Sequence, residues 1–291
     1  MFGTGRKRAG PLAMTIDVED WFHSENVKSA VPRRTWDSCE LRVQRNTMRI
    51  LEILEEHGAR ATFFVLGWVA ARCPGLVRAI ADGGHEVASH GYGHELVYRL
   101  RPDEFRQDVV RSKGLLEDLT GLPVRGYRAP CFSITEWALE ILRDAGFEYD
   151  SSVVPTFAHD RYGRVGGFAA GKPIVDLGGG FQEVCISCLP IGDRGIPWGG
   201  GGYFRLVPYA CWRHGVHAIL ASGLPYIFYI HPWDMDPGQP RVRGLKMRNS
   251  YRQRLNLGRC EKRFSSIIGE FEWMSVASLL KTTRAVSHVP A

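Results

Sequence analysis

Residues 61–94, ATFFVLGWVAARCPGLVRAIADGGHEVASHGYGH, hold one full turn of a repeating pattern. Ala61 to Leu66 is a short apolar, aromatic run of strand type. Pro74 opens a helix that passes through Leu76, Val77 and Ile80 and stops at Gly83, with proline in the first turn and glycine at the end. Residues 85–89 read as the next strand, and His90 and His94 follow it directly. Two histidines four apart reach one cation if Gly91 and Gly93 let the backbone curl, and neutral imidazole is the commonest side-chain ligand for a borderline cation such as zinc. A lone pair is a weak motif that two surface histidines satisfy equally well. Its meaning depends on what the rest of the chain brings to it.

The same alternation continues on both sides. Upstream, the apolar run Leu12 to Ile16 ends in Asp17-Val18-Glu19-Asp20-Trp21-Phe22-His23. Burying three carboxylates within four residues without partners is costly, so they belong at a rim or around a cation. Residues 40–57 carry Met48, Ile50, Leu51, Ile53 and Leu54 at helical spacing and stop at Gly58. Downstream, a helix is expected from Pro102 to Gly121, then a strand from Val124 to Tyr127 that leads into Arg128-Ala129-Pro130. Ser133 with Glu136 three residues on is a capping-box signature for a helix reaching Gly146. Strand is expected at 147–149, 173–177 and 181–189, a helix from Pro208 to Gly223, and a last strong strand from Tyr226 to Ile230, followed by His231-Pro232-Trp233-Asp234. The run of four glycines at 199–202 lacks the strand and helix flanks of a nucleotide fingerprint and reads as a tight loop beside a groove, or a turn.

About six strand–helix cycles with short links imply a parallel α/β architecture, a barrel before an open sheet. Asp17 to Asp20, His90 with His94, Arg128 and His231 all follow apolar runs at strand C-termini, the face on which barrel enzymes build their sites. That consistency points to a metal hydrolase.

The chain has 291 residues, 44% hydrophobic and 23% charged, an ordinary globular composition. A formal charge of +6 is modest, and its Lys and Arg are scattered except over 241–263. It gives weak preference to an anionic polymer or membrane surface and does not suggest nucleic acid. Seven cysteines, an odd number, lie mostly in apolar stretches and read as reduced thiols; the single C-x-x-C at Cys185 and Cys188 has no second pair. Neither a signal peptide nor a transmembrane span is evident, so a cytoplasmic location is expected. Residues 1–11 read as a disordered basic tail, 12–240 as one domain, and 241–291 as an extension packed on it. The sequence does not define the oligomeric state.

TIDVEDWF, SHGYGH, YRAP and YIHP, in that order, resemble the motifs of the polysaccharide deacetylases of the NodB-homology type, carbohydrate esterase family 4, over residues 12–234. The chain is most similar to the branch that has Asp-Val-Glu-Asp in place of adjacent aspartates, carries a C-terminal extension, and is often linked to exopolysaccharide production. The resemblance implies a distorted, incomplete (β/α) barrel of about seven strands. It also implies a metal-dependent hydrolase that removes N-acetyl groups from an N-acetylhexosamine-containing saccharide.

Carried over by motif, Asp17 stands as catalytic base, Arg128 as the charged group that orients it, His90 and His94 as metal ligands, and His231 as the acid for the leaving amine. Val18 occupies the position where the third ligand is usual. Glu19, two on from Asp17, shares its face on an extended backbone, whereas Asp20 serves if the chain turns; both stay open. The metal is expected to be divalent, with zinc favoured. The backbone N–H of Cys131 takes the place of the oxyanion donor, and His85 matches a structural position. Trp21, Tyr127, Phe132, Trp198, Tyr203 and Trp233 flank the motifs as candidate sugar-stacking residues. Two rivals remain: an amidase acting on a small cyclic amide, and a sugar-binding relative that has lost its metal.

Overall fold

The structure is a computed structural model that describes residues 10–156, 161–163 and 165–287. Residues 1–9 of the expected basic tail lie outside the described residues. Nine strands form the main sheet: β1 (Leu12–Val18), β2 (Thr62–Val65), β3 (Glu86–Ser89), β4 (Gly126–Tyr127), β5 (Tyr149–Asp150), β6 (Ile174–Asp176), β7 (Gln182–Val184), β10 (Tyr226–Ile230) and β11 (Trp273–Met274). β8 (Cys188–Ile191) and β9 (Arg194–Pro197) form a separate antiparallel hairpin.

The sheet order is β10-β1-β2-β3-β4-β5-β7-β6. The pairings from β10 to β7 are all parallel, and β6 turns back antiparallel at the edge. The expected incomplete barrel is therefore present as a curled open sheet with seven parallel strands in its main run. The segments that follow β7 and β9 reach β10, one open edge of this order, through a few hydrogen bonds: Ser187 N–H donates to Ile227 O at 3.4 Å and Tyr229 N–H to Gly199 O at 2.7 Å. Gly200 makes that approach possible, because a Cβ there would stand 1.9 Å from Tyr229 O, and its φ of +138° suits glycine.

β1 is buried on both faces. Ala13 faces one cluster with Phe64, Ile227 and Tyr229 inside the curl, while Met14 and Ile16 pack outward against the helical layer. Such two-sided burial is the reason the central strands read as continuous apolar runs. Helices Val43–Glu56, Pro74–Asp82, Pro102–Thr120, Glu136–Asp144 and Tyr209–Ala221 supply that layer. A further short helix, Gly67–Arg72, follows β2 directly.

The capping-box expectation at Ser133 is corrected. The helix starts at Glu136 after Thr135, which makes no side-chain cap. The Ser133 hydroxyl instead accepts from Val97 N–H at 2.9 Å and donates to Pro130 O at 2.7 Å. It ties two loops at the strand ends.

Beyond β10, helices Met247–Arg254 and Leu257–Glu270 lead to β11, which pairs with Leu12 and Ala13 of β1, and helix Val276–Ser287 follows. Cys260, Phe264, Ile267, Ile268 and Trp273 of this segment belong to the main core.

Candidate metal and acid–base site

Thr15, Asp17 and Glu19 alternate along β1 and its exit, so their side chains share one face. Arg128, at the end of β4, meets them. Its Nη1 donates to Thr15 Oγ1 and Asp17 Oδ1, each at 2.7 Å. Nε donates to Ser151 O at 2.9 Å and Nη2 to Ser151 Oγ at 2.8 Å, while the guanidinium lies 4.1 Å above the Phe64 ring. Arg128 is fully buried, where a charge persists only when paired and hydrogen-bonded. Asp17 is its charge partner, and that contact fixes one carboxylate oxygen and leaves Oδ2 for chemistry.

After β3 the chain curls as its glycines allow. Gly91 has a φ of +70°, and a Cβ there would sit 2.7 Å from Asp108 Oδ2. Asp108 accepts the N–H groups of Tyr92 and Gly93 at 2.7 and 3.0 Å, pinning the loop. His94 itself takes a φ of 53°, uncommon for a residue with a side chain. His90 donates Nδ1–H to Arg128 O at 2.8 Å, an assignment that leaves Nε2 as a lone-pair donor.

Glu19, His90 and His94 are all buried, and one ligand atom from each lies within 4.8 Å of the others. Glu19 Oε1 accepts Trp233 Nε1–H at 2.9 Å, and Glu19 Oε2 stands against His94 Nε2. Burial alone would raise the Glu19 pKa, but the charge and hydrogen bond of His94, with His231 and His90 behind, hold it well below the usual carboxylate range. The donor set fits a divalent metal: one anionic oxygen and two imidazole nitrogens, all buried and within reach of one another.

Asp20 is corrected as a ligand. It accepts the N–H groups of Arg42 and Val43 at 2.7 and 2.8 Å, capping the helix Val43–Glu56, and its other oxygen takes Trp21 N–H at 2.8 Å. A helix start offers orphan donors that a carboxylate satisfies, and these claim Asp20. Burial nevertheless pushes its pKa up to about 6.

β10 brings the remaining group. Its parallel register pairs Ile16 with Ile230, so Asp17 and His231 emerge side by side. His231 Nε2 lies 3.9 Å from Asp17 Oδ2 and 3.6 Å from Glu19 Oε1. Its Nδ1 bonds Asp234 Oδ2 at 2.8 Å, and Asp234 Oδ1 lies 2.6 Å from Arg205 Nε. Arg205 also donates to Leu255 O at 2.6 Å and Arg252 O at 3.0 Å. Burial would push the His231 pKa down, but the hydrogen bond and charge of Asp234, then the charges of Glu19 and Asp17, outweigh it and raise it to about 9. The proton-bearing form is favoured at neutral pH.

A cavity of about 450 Å³ is lined by Glu19 and His231, with Arg205 beside them. Of the aromatic residues singled out, Phe132, Tyr203 and Trp233 line it, and the Trp233 ring stacks on His231 at 4.8 Å. The other three are corrected. Tyr127 is buried among Phe105 and Phe147 in the helical layer. Trp21 is buried and donates to Glu40 O, and Trp198 stacks on Trp212 at 4.9 Å. Cys131 lines the cavity, and it and Phe132 have φ values of 53° and 58°. Two consecutive left-handed residues store strain where the chain turns its backbone toward the site. His85 lies at the far end of β3, accepting Ala61 N–H at 3.3 Å. Sequence reasoning missed Asp234 and Arg205, which hold His231.

Two family models match successive parts of the chain. Residues 26–149 match the family described as "Polysaccharide deacetylase", and residues 151–281 match a "Domain of unknown function (DUF3473)". Among curated proteins, it is 35% identical over 98 residues to a peptidoglycan-N-acetylglucosamine deacetylase of Bacillus cereus, covering 32% of this chain and 36% of that protein. It is 32% identical over 118 residues to a peptidoglycan deacetylase of Helicobacter pylori, covering 40% of each. The matched portion thus spans well under half the length of these relatives. A putative polysaccharide deacetylase from Mycobacterium smegmatis has a similar fold, with a TM-score of 0.61 at 20% identity, covering 99% of this chain and 95% of that one. A pseudoenzyme of family CE4 from Bacillus anthracis aligns with a TM-score of 0.51 at 16% identity, covering 94% and 66%.

Proposed function

We propose that this protein is a metal-dependent N-deacetylase acting on an N-acetylhexosamine-containing polysaccharide or oligosaccharide. The observation that carries the reading is the convergence of Asp17, the Glu19–His90–His94 triad and His231 at one buried point, where Glu19 and His231 line a cavity. By its resemblance to the Asp-Val-Glu-Asp branch, we assign the work to the production of a bacterial exopolysaccharide.

Glu19, His90 and His94 would hold a divalent cation, zinc in this reading, which would supply Lewis acidity toward the amide carbonyl and the attacking water. Asp17 accepts the proton of the attacking water through Oδ2, because Oδ1 is committed to Arg128. Arg128 keeps that carboxylate aimed. The backbone N–H of Cys131 donates to the oxyanion as the carbonyl becomes tetrahedral. His231 then delivers its proton to the nitrogen as the C–N bond breaks, since an amine anion is too basic to leave. Acetate and a free amino sugar result.

The cavity reaches Leu206 and Tyr251, 51% and 61% exposed, which suits a chain of sugars better than a small cyclic amide. We further assign residues 241–291 to an extension that completes the domain and does not fold when expressed alone, because β11 needs β1 as its pairing partner. The test of function is acetate release from N-acetylated oligosaccharides with and without a chelator, alongside metal content. Acetate release that survives complete metal removal refutes the reading.

A further inference from the structure

Asp150 and Glu183 are fully buried, and neither has a part in the reaction just described. β5 and β7 pair in parallel with these two residues opposite each other. Their hydrogen bonds fasten the chain that leaves β5. Glu183 Oε1 accepts the N–H groups of Ser152 and Val153 at 3.1 and 2.8 Å, and Asp150 Oδ1 accepts the Ser152 hydroxyl at 2.6 Å. Asp150 Oδ2 and Glu183 Oε2 are not reached by these donors, and the two carboxyl groups bond each other. Two carboxyl groups make such a bond only while one of them holds a proton. Burial and the neighbouring charge disfavour ionising both, so the pair gives up its last proton well above the ordinary carboxylate range.

The fastened chain reaches the site. Ser151 takes Arg128 Nε on its carbonyl at 2.9 Å and Nη2 on its hydroxyl at 2.8 Å, and Ser152 Oγ accepts Ala129 N–H at 2.7 Å. The Ser151 hydroxyl itself donates to Val184 O at 2.8 Å, one residue past Glu183. Arg128 in turn holds Asp17 Oδ1, and its carbonyl accepts from His90. A run of buried hydrogen bonds thus joins the carboxyl pair to Asp17. Among the described residues, the charged and titratable groups that face the pair are Arg128 and Tyr127, from β4 and its exit, and Cys185, just after β7. The helix Glu136–Asp144, which packs on β5, keeps Glu136, Glu140, Arg143 and Asp144 exposed. A second negative charge on the pair would therefore break its own bond and pull on the same guanidinium that Asp17 uses.

We propose that Asp150 and Glu183 are a proton-sharing positioning pair, which holds Arg128 against Asp17 while it keeps one proton and loosens that contact when the last proton leaves. The value of the contact to catalysis rests on the deacetylase reading, whereas the hold on Arg128 does not.

The test follows the proton and the guanidinium separately in the full chain. Infrared spectra of the wild type taken across alkaline pH should show a buried carboxylic-acid band that disappears in one step. Glu183→Gln should lack that band, because its amide supplies the hydrogen bond without a titrating proton. NMR of protein with isotopically labelled arginine reports the Arg128 Nε–H, assigned as the signal missing from Arg128→Lys. That signal should move in the wild type at the pH where the band is lost, and stay in place in Glu183→Gln. On an N-acetylated oligosaccharide, Glu183→Ala should lower kcat by about 10–100-fold, up to the cost of misplacing a reacting group by about 1 Å, with KM and metal content near wild type. Glu183→Gln should restore most of that loss. Should Glu183→Ala fail to fold, the infrared and NMR measurements decide alone. The absence of a Glu183-dependent band, an Arg128 signal indifferent to its loss, or a Glu183→Gln variant as slow as Glu183→Ala overturns the proposal. If band and signal move together while no N-acetylated probe releases acetate, the pair stands and the deacetylase reading falls.

Discussion

Replacing Asp234 with Asn is the sharpest probe of how His231 is held. The wild-type imidazole sits at a pKa of about 9 against an ordinary 6.5. At about 1.4 kcal/mol per unit, the site favours the imidazolium by on the order of 3 kcal/mol. Asn preserves the shape and an acceptor for Nδ1–H but removes the charge, and an opposite charge at this range is worth about 1–3 pKa units. The alkaline limb of kcat/KM on an N-acetylated oligosaccharide should therefore move down by about that much. The sign for stability follows from the raised folded pKa. The contribution of His231 is complete below about 6.5 and is lost as the pH rises through about 9, so the variant loses it at lower pH.

Arg205 suffers in the same variant. Breaking a buried ion pair from one side costs about 3–5 kcal/mol, and the two carbonyls that Arg205 still reaches should keep the loss near the lower figure. Chemical denaturation at neutral pH measures that cost, and a pH–rate profile measures the shift. An alkaline limb that stays in place while stability falls would show that Asp234 supports the fold without tuning the acid.

Glu19→Gln should lose bound metal and activity together, whereas Asp20→Asn should retain metal and lose about 1–2 kcal/mol as a weakened helix cap, read by metal analysis and unfolding. Asp17→Asn should keep its metal and lose about 10²–10⁴-fold in deacetylation, the usual size of general-base catalysis. His231→Ala should lose much less on an activated aryl ester, whose leaving group needs no proton, than on an N-acetyl sugar; equal losses on both would remove the acid role. Asp150 and Glu183 form a fully buried carboxyl pair. Burial pushes Asp150 up to about 6, and burial with the charge of Asp150 pushes Glu183 well above its ordinary value. Both folded values are raised, so their contribution is complete below about pH 4 and is lost as pH climbs through about 6 and beyond; Glu183→Gln should flatten that decline in Tm.

The parts of the site legible in the sequence were those that local periodicity governs. Polar residues that end apolar runs fall on one face of a parallel sheet, and this placed Asp17, His90, His94, Arg128 and His231 together before any contact was seen. The choice between Glu19 and Asp20 depended on whether β1 stayed extended, and the helix start at Arg42 and Val43 decided it. Tyr127 was within reach of a stricter reading. Arg128 points into the curl, so its neighbour in β4 must point into the helical layer. Arg205 carried no such signal, since its role arises from a short helix after the glycine loop and from carbonyls some fifty residues later. Ser133 shows the opposite failure: a correct local signature lost to Val97 N–H, a donor 36 positions away.

The two matched segments meet at residues 149 and 151, inside the sheet between β5 and β7, and not at a linker. The metal triad and Asp17 lie before that point, while His231, Asp234 and Arg205 lie after it. A single pairing, β10 with β1, sets Asp17 beside His231 across 214 positions, and β11 from the same later segment pairs with the start of β1. Arg128 donates to Ser151 as well as to Asp17, so the later segment also helps to position Asp17. A chain cut at the boundary would leave Arg128 without Ser151 and the start of β1 without β10 on one side and β11 on the other. The segment of unknown function therefore supplies half of the candidate site as well as half of the fold.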